Sequence, residues 1–257
     1  MKKINKVAIE AALKAGRYIK ANIGKIKTVG YKGDINVVTN VDKKAESIIV
    51  EMIRKTFPTH NFLAEENTYP QANDNHTWII DPLDGTTNFL HGFPVFCVSI
   101  AFSCGGKIKT GVVYDPTRDE LFHAECGRGA FLNKKRIHVS GVKKLKKAML
   151  ATGFAYNLKN AKNTNIRSFT RFIKATQAVR RAGSAAIDLC YVALGRFDGF
   201  WELNLNPWDT AAGILMVTEA GGRVSKLDGS AYTVYDKELL ASNSKIHSKM
   251  KNILTKQ

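Results

Sequence analysis

The chain has 257 residues, 44% of them hydrophobic, which is enough for a sizeable core and excludes wholesale disorder. Its formal net charge of +17 suits anionic substrates or partners. No apolar run reaches the length of a membrane span, and Glu10 and Lys14 interrupt the stretch behind the basic residues 1–6, so the reading is a cytosolic protein without membrane contact.

The length suits one large layered domain or two subdomains sharing an interface. An amphipathic helix is predicted over 4–22, with Ile4, Val7, Ala8, Ala11, Ala12, Ala15, Tyr18 and Ile19 at helical spacing. A basic, glycine-punctuated connection over 25–33 holds a strand near Lys27, Thr28 and Val29. A second helix follows, capped by Thr39 or Asn40, with Ala45, Ile48, Ile49, Met52 and Ile53 on its apolar face. Phe57 and Pro58 stop it.

Residues 61–64 read as a strand that delivers Glu65 and Glu66 to an edge. Trp78, Ile79 and Ile80 read as a buried strand that ends at Asp81, where Pro82 is expected to stop the pairing. Asp84 follows, and Gly85 permits close approach of a ligand to the backbone. Thr86 and Thr87 add hydroxyls and, if a helix starts here, free N–H groups suited to a phosphate. Two carboxylates held about a rigid proline turn call for a hard divalent cation with oxygen ligands. The alternative is that the aspartates cap a turn and the threonines cap a helix.

Strands over 94–102 and 109–114 flank a Gly105-Gly106 hairpin, and short strands over 120–124 and 130–132 follow. This succession argues for an antiparallel sheet flanked by the first two helices, within an α+β architecture. The basic segment 133–147 reads as a connection between subdomains, and 149–152 opens a second region. Helices are predicted over 165–178, with Ile166, Phe169, Phe172 and Ile173 on one face, and over 184–194. Residues 199–202 form a strand, and Asp209, after Pro207 and Trp208, begins a helix closed by Gly221 and Gly222. For Asp209 alone, N-capping competes with a ligand role. Late strands over 223–225 and 239–242 precede a closing helix over 245–254.

Cys97, Cys104, Cys126 and Cys190 lack metal-site or disulfide-framework spacing and read as reduced, mostly buried thiols. No Asp or Glu occurs between Glu125 and Asp188, an interval with fifteen Lys and Arg residues. Such a field would steer anions and hold nucleic acid loosely, unless it is only a solvated surface.

Taken together, these residues resemble the inositol monophosphatase family of magnesium-dependent, lithium-sensitive phosphatases. The stretch 81–89, Asp-Pro-Leu-Asp-Gly-Thr-Thr-Asn-Phe, is similar to its first signature. Trp208-Asp209-Thr210-Ala211-Ala212-Gly213, running on to Glu219-Ala220-Gly221-Gly222, is similar to its second, and Glu65-Glu66 to the acidic pair before the first. The resemblance implies a layered αβαβα sugar-phosphatase fold. Its N-terminal subdomain, 1–142, would carry most metal ligands, and its C-terminal subdomain, 143–257, would complete the site.

It further implies that Glu65, Asp81, Asp84, Asp209 and the Leu83 carbonyl hold two or three Mg2+ ions, Asp81 bridging two of them. Asp84, Gly85 and Thr86 would contact the phosphate-bearing substrate. Thr86 and Glu65 would activate the attacking water, and Asp42 would orient the Thr86 hydroxyl. Gly183, Ser184 and Ala185 would line the sugar site, where Glu202 binds substrate hydroxyls. His91, the only histidine close to the central turn in sequence, reads as structural. Asn36 stands where most members carry an aspartate, which bears on the number of ions more than on activity. The implied substrate is a small phosphorylated polyol or sugar, with myo-inositol monophosphate leading and fructose 1,6-bisphosphate and 3′-phosphoadenosine 5′-phosphate as rivals. A homodimer is implied, and bacterial relatives that act in RNA-processing complexes point to RNA or an acidic protein as a further partner.

Overall fold

The computed structural model describes residues 1–25, 29–31, 37–72, 75–154 and 164–255. The expectations placed on Lys27, Thr28 and Asn36 lie outside the described residues.

Helix α1 (Lys2–Ala21) buries its alanine and isoleucine stripe. Strands β1 (Val29–Tyr31) and β2 (Val37–Thr39) pair antiparallel ahead of α2 (Asn40–Thr56). Thr39 caps α2: its Oγ1 accepts from Val41 N at 3.1 Å, and Asp42 Oδ2 accepts from Thr39 N at 2.8 Å. A seven-stranded sheet follows in sequential order: β3 (Asn61–Ala64), β4 (His76–Asp84), β5 (Cys97–Cys104), β6 (Lys107–Asp115), β7 (Glu120–Glu125), β8 (Gly129–Leu132) and β9 (Lys135–Arg136). Its pairs are antiparallel except β3 with β4. The short helix α3 (Thr86–Leu90) leaves the end of β4.

The second sheet has five strands, ordered β11 (Ala178–Arg180), β10 (Met149–Thr152), β12 (Gly199–Leu203), β14 (Glu238–Ser242) and β13 (Arg223–Ser225). Helices α5 (Ala185–Leu194) and α6 (Pro207–Glu219) lie between the two sheets, and α4 (Ile166–Ala175) and α7 (His247–Leu254) cover the outer face of the second. The order is therefore helix pair, sheet, helix pair, sheet, helix pair, the expected αβαβα sandwich. Three apolar clusters fill its interlayer spaces. The first is anchored by Trp78 and Ile80, each fully buried and each contributing ~1.5–3 kcal/mol of burial free energy.

Several local expectations change. Strand β4 runs through Pro82 to Asp84: Asp81 pairs with Ser99 and Asp84 with Cys97, three steps on one strand against two on the other. Pro82 lies within this bulge, where its missing N–H costs no ladder bond. Helix α4 stops at Ala175, and the chain then adds β11 to the sheet edge. Phe172 is buried as expected, but Ile166 and Ile173 are 55% and 53% exposed, because they lie at the margin of the apolar stripe. Helix α6 begins at Pro207 with Asn206 as its cap, so Asp209 sits in its first turn rather than at its start. Only Cys97 and Cys190 are buried; Cys104 is partly exposed, Cys126 is exposed, and all four are free thiols.

Candidate active site

The end of β4 projects its carboxylates toward the α5–α6 layer and the second sheet. The bulge between Asp81 and Asp84 re-aims both side chains. Gly85 then takes φ +94°, and a Cβ there would lie 2.8 Å from the Val95 carbonyl oxygen, so this turn requires glycine. The resulting cavity, about 620 Å3, is lined by Glu65, Asp81, Asp84, Asp188, Glu202 and Asp209, with Arg181 as the one basic residue among those described. Leu83, Gly85, Thr86, Gly183, Ser184 and Ala185 also line it. Every predicted ligand and substrate residue therefore reaches one cavity, and Asp42 reaches it through Thr86.

Each element tethers its own acid. Asp81 Oδ1 accepts from Leu83 N at 3.0 Å. Asp84 Oδ2 accepts from Ser184 Oγ at 2.7 Å and Ala186 N at 2.8 Å, which ties β4 to the start of α5. Asp209 Oδ2 accepts from Asn206 N at 2.6 Å, so capping occupies one oxygen of this carboxylate. The second oxygen of each remains for another partner. Thr86 Oγ1 donates to Asp42 Oδ1 at 2.8 Å and lies 3.0 Å from the Leu83 carbonyl oxygen. Asp42 is in turn fixed by Thr39 through its other oxygen.

Burial pushes Asp81 well above the usual carboxylate range, and Glu65, Asp84 and Asp209 push it further. Burial likewise raises Asp84 to about 6, against the hydrogen bonds from Ser184 and Ala186. Burial carries Asp209 to about 8, and burial with repulsion from Asp209 and Asp84 carries Glu202 to about 8. Among the described residues six acids and one arginine line the cavity, and burial with mutual repulsion holds these carboxyls above their usual range until a cation offsets them. All-oxygen donors on separate elements suit a hard cation such as Mg2+ or Ca2+. Among the described residues, no three His, Cys, Asp or Glu side chains by themselves close into a metal cage.

Three contributors escaped the sequence reading. Glu46, four residues after Asp42 on α2, is fully buried. Its Oε2 accepts from Glu66 N at 2.9 Å, and its Oε1 from Asn67 Nδ2 at 2.7 Å and Tyr69 Oη at 2.8 Å. One helix thus fixes both Thr86 and the loop that carries Glu65. An acid on an otherwise apolar helix face was the available signal. Asn88 Nδ2 donates to the carbonyls of Val95 at 2.7 Å and Ala182 at 2.8 Å, joining α3 to the segment before Gly183. At Gly153 a Cβ would fall 2.1–2.3 Å from the Glu202 carboxyl atoms, so this glycine makes their space; no sequence signal marks it. His91 lies on the exposed surface after α3, and its N–H bonds Thr87 O at 3.1 Å.

The same fold and sequence pattern occur in known proteins. The chain is 46% identical over 250 residues to an inositol-1-monophosphatase of Synechocystis sp., covering 96% of this chain and 87% of that protein. The crystal structure of the extragenic suppressor protein suhB from Bartonella henselae superposes with a TM-score of 0.95 at 43% identity, covering 99% of each chain. An IMPase/NADP phosphatase complexed with Mg2+ and phosphate superposes at 0.87 with 28% identity, covering 100% of this chain and 96% of that one. The family profile spans residues 1–257. With the acidic cavity, the layered fold and these relatives in agreement, the chain belongs to the inositol monophosphatase family and is a phosphoric monoester hydrolase.

Proposed function

We propose that the enzyme hydrolyses a small phosphorylated polyol, myo-inositol monophosphate first among candidates, in a Mg2+-dependent, lithium-sensitive reaction. The observation that carries this reading is the cavity in which, among the described residues, six acids meet a single arginine. Glu65, Asp81, Asp84, Asp209 and the Leu83 carbonyl would hold two or three ions. Bound Mg2+ would neutralise phosphoryl and leaving-group oxygens and lower the pKa of water.

The protein's own groups do the positioning. Asp42 Oδ1 accepts the Thr86 hydroxyl hydrogen bond at 2.8 Å, so Thr86 Oγ1 presents a lone pair to one proton of the attacking water. Glu65 orients the other side of that water. Gly85 and Thr86 hold the phosphate next to it. Water oxygen forms the new bond to phosphorus as the ester P–O bond breaks; Glu65 takes the proton that this water loses, and that proton returns through solvent to the departing polyol oxygen, giving free polyol and inorganic phosphate. Glu202, set against Gly153, accepts hydrogen bonds from polyol hydroxyls, which favours inositol over a plain alkyl phosphate. Residues 1–142 and 143–257 act as the two subdomains that meet at this site.

The test is phosphate release from inositol 1-phosphate, fructose 1,6-bisphosphate and 3′-phosphoadenosine 5′-phosphate with Mg2+, with Mg2+ plus lithium, and with EDTA. Mg2+-dependent, lithium-inhibited turnover of inositol 1-phosphate is expected. Absence of turnover of all three by folded protein overturns the reading.

A second role rests on the acid-free interval after Glu125, where Lys134, Lys135, Arg136, Lys143, Lys144, Lys146 and Lys147 are all exposed. This surface suits RNA as an added partner of a cytoplasmic, homodimeric enzyme. RNA binding that weakens steeply between about 50 and 200 mM salt supports it; salt-independent or absent binding removes it.

A further inference from the structure

Asp188 is unexplained by the roles assigned so far. It lies one turn into α5, lines the cavity, and is 1% exposed. Its Oδ1 is sealed from solvent and has no hydrogen-bond partner among the described residues. A buried carboxyl oxygen left unpaired is costly, and a native fold retains one where something else completes it.

Helix capping does not explain it. Ser184 already caps α5: its Oγ accepts from Ile187 N at 3.3 Å and donates to Asp84 Oδ2 at 2.7 Å. The Asp188 backbone N–H is spent within the helix on Ser184 O at 3.0 Å. Ion pairing does not explain it either. Arg181 is near enough to act on its charge, yet it is exposed and makes no salt bridge to Asp188.

Position narrows the choice of ligand. The strongest electrostatic neighbour of Asp188 is Glu202, followed by Asp84. Both acids line the one cavity, Asp188 from α5 and Glu202 from β12, and these two elements pack against each other. A second acid beside Glu202 suits a ligand rich in hydroxyl donors, because a carboxyl group offers an acceptor oxygen whether ionised or protonated.

We propose that Asp188 is a specificity-determining residue that, with Glu202, accepts hydrogen bonds from hydroxyls of the polyol leaving group. This rests on reading the cavity as a polyol phosphate site. It goes further in assigning a second acceptor, so that vicinal hydroxyls are read by two acids on different elements, α5 and β12.

The experiment compares wild type, Asp188→Ala and Asp188→Asn on inositol 1-phosphate and on p-nitrophenyl phosphate, which has no hydroxyls to read. All three proteins are first compared by circular dichroism and thermal unfolding. For Asp188→Ala, KM for inositol 1-phosphate is expected to rise about tenfold with kcat little changed, the size of one lost hydrogen bond to a strong acceptor. Turnover of p-nitrophenyl phosphate stays within about twofold, and Asp188→Asn, which keeps an acceptor oxygen, recovers most of the loss. Equal losses on both substrates would assign Asp188 a structural role and overturn the proposal, as would wild-type KM in Asp188→Ala. Those failures leave the wild-type reaction intact. Failure of the wild type itself on inositol 1-phosphate, with p-nitrophenyl phosphate still turned over, overturns the polyol reading and this assignment with it.

Discussion

Replacing Glu46 with Gln tests whether one helix organises the nucleophile end of the site. The wild-type carboxylate accepts from Glu66 N at 2.9 Å through Oε2, and from Asn67 and Tyr69 through Oε1. Gln keeps the Oε1 acceptor but turns an amide NH2 toward the Glu66 N–H, so two donors face each other. A hydrogen bond to a buried charged acceptor contributes ~1.5–3 kcal/mol. The expected destabilisation is therefore about 2 kcal/mol for Glu46→Gln. For Glu46→Ala, which removes all three bonds, it is about 3 kcal/mol and no more, since water can reach the donors of exposed Asn67 and partly exposed Tyr69. At this chain length, each kcal/mol lowers Tm by ~2–4 °C.

The functional effect is larger than the stability effect. Glu65 is the immediate neighbour of Glu66, and a shift of about 1 Å in a reacting group costs on the order of 10²-fold in rate. Phosphate release well below the melting transition, at saturating Mg2+, is expected to show kcat reduced ~10–100-fold with KM nearly unchanged. Urea unfolding supplies the stability change. Wild-type kcat in a Glu46→Gln protein that is measurably destabilised would refute the claim that Glu46 acts through Glu65.

Three further outcomes follow from the geometry. Asp84→Asn keeps an acceptor for Ser184 and Ala186 and relieves repulsion with Glu65, so Tm is expected to hold or rise while kcat falls about 10²-fold or more; wild-type turnover sinks the ligand role. Gly153→Ala places a methyl group on the Glu202 carboxyl, so KM for the polyol phosphate is expected to rise several-fold, by about 1 kcal/mol of lost contact, whereas p-nitrophenyl phosphate is unaffected; parallel losses would point to general disruption instead. His247 is 1% exposed, and burial, Arg223 and Lys251 lower its pKa from 6.5 to about 4. Its ring lies 2.9 Å from both Ser225 Oγ and Ser242 Oγ, and Ser225 spends its own proton on Lys226 O at 2.7 Å. The neutral ring with its proton on Nε2 satisfies both serines. Protonation thus favours the unfolded chain: this contribution is complete above pH 6.5 and is lost as pH falls toward 4, up to ~3 kcal/mol at ~1.36 kcal/mol per unit. The stability difference between wild type and His247→Gln should shrink across that window, and a constant difference would contradict the assignment.

The legibility of this protein follows the range of the forces involved. The stretch from Asp81 to Phe89 was readable because its chemistry is local: a strand end, a proline, a glycine and two acids a few residues apart. The long periodic helices α1 and α2 were readable for the same reason, as were the hairpins around Gly105-Gly106 and the cap at Thr39. Sequence also paired Glu65 and Asp209 with that turn, through two signatures rather than through physics. Element boundaries failed where a neighbour decided them. Strand β4 runs past Pro82 because Cys97 waits across the bulge to pair with Asp84, and Ile166 and Ile173 are exposed because only part of the α4 face meets the second sheet.

Burial and partners belonged to the tertiary structure alone. Glu46 and Asp188 are ordinary helix acids by composition, yet one is sealed against three donors and the other against none. Gly153 is unremarkable until the Glu202 carboxyl is laid against it from another strand. Spacing along the chain specifies which groups exist at each turn. Whether those groups are desolvated, paired or crowded by like charge depends on segments more than a hundred residues away, as when Asp84 is held by Ser184, and only packing brings these together.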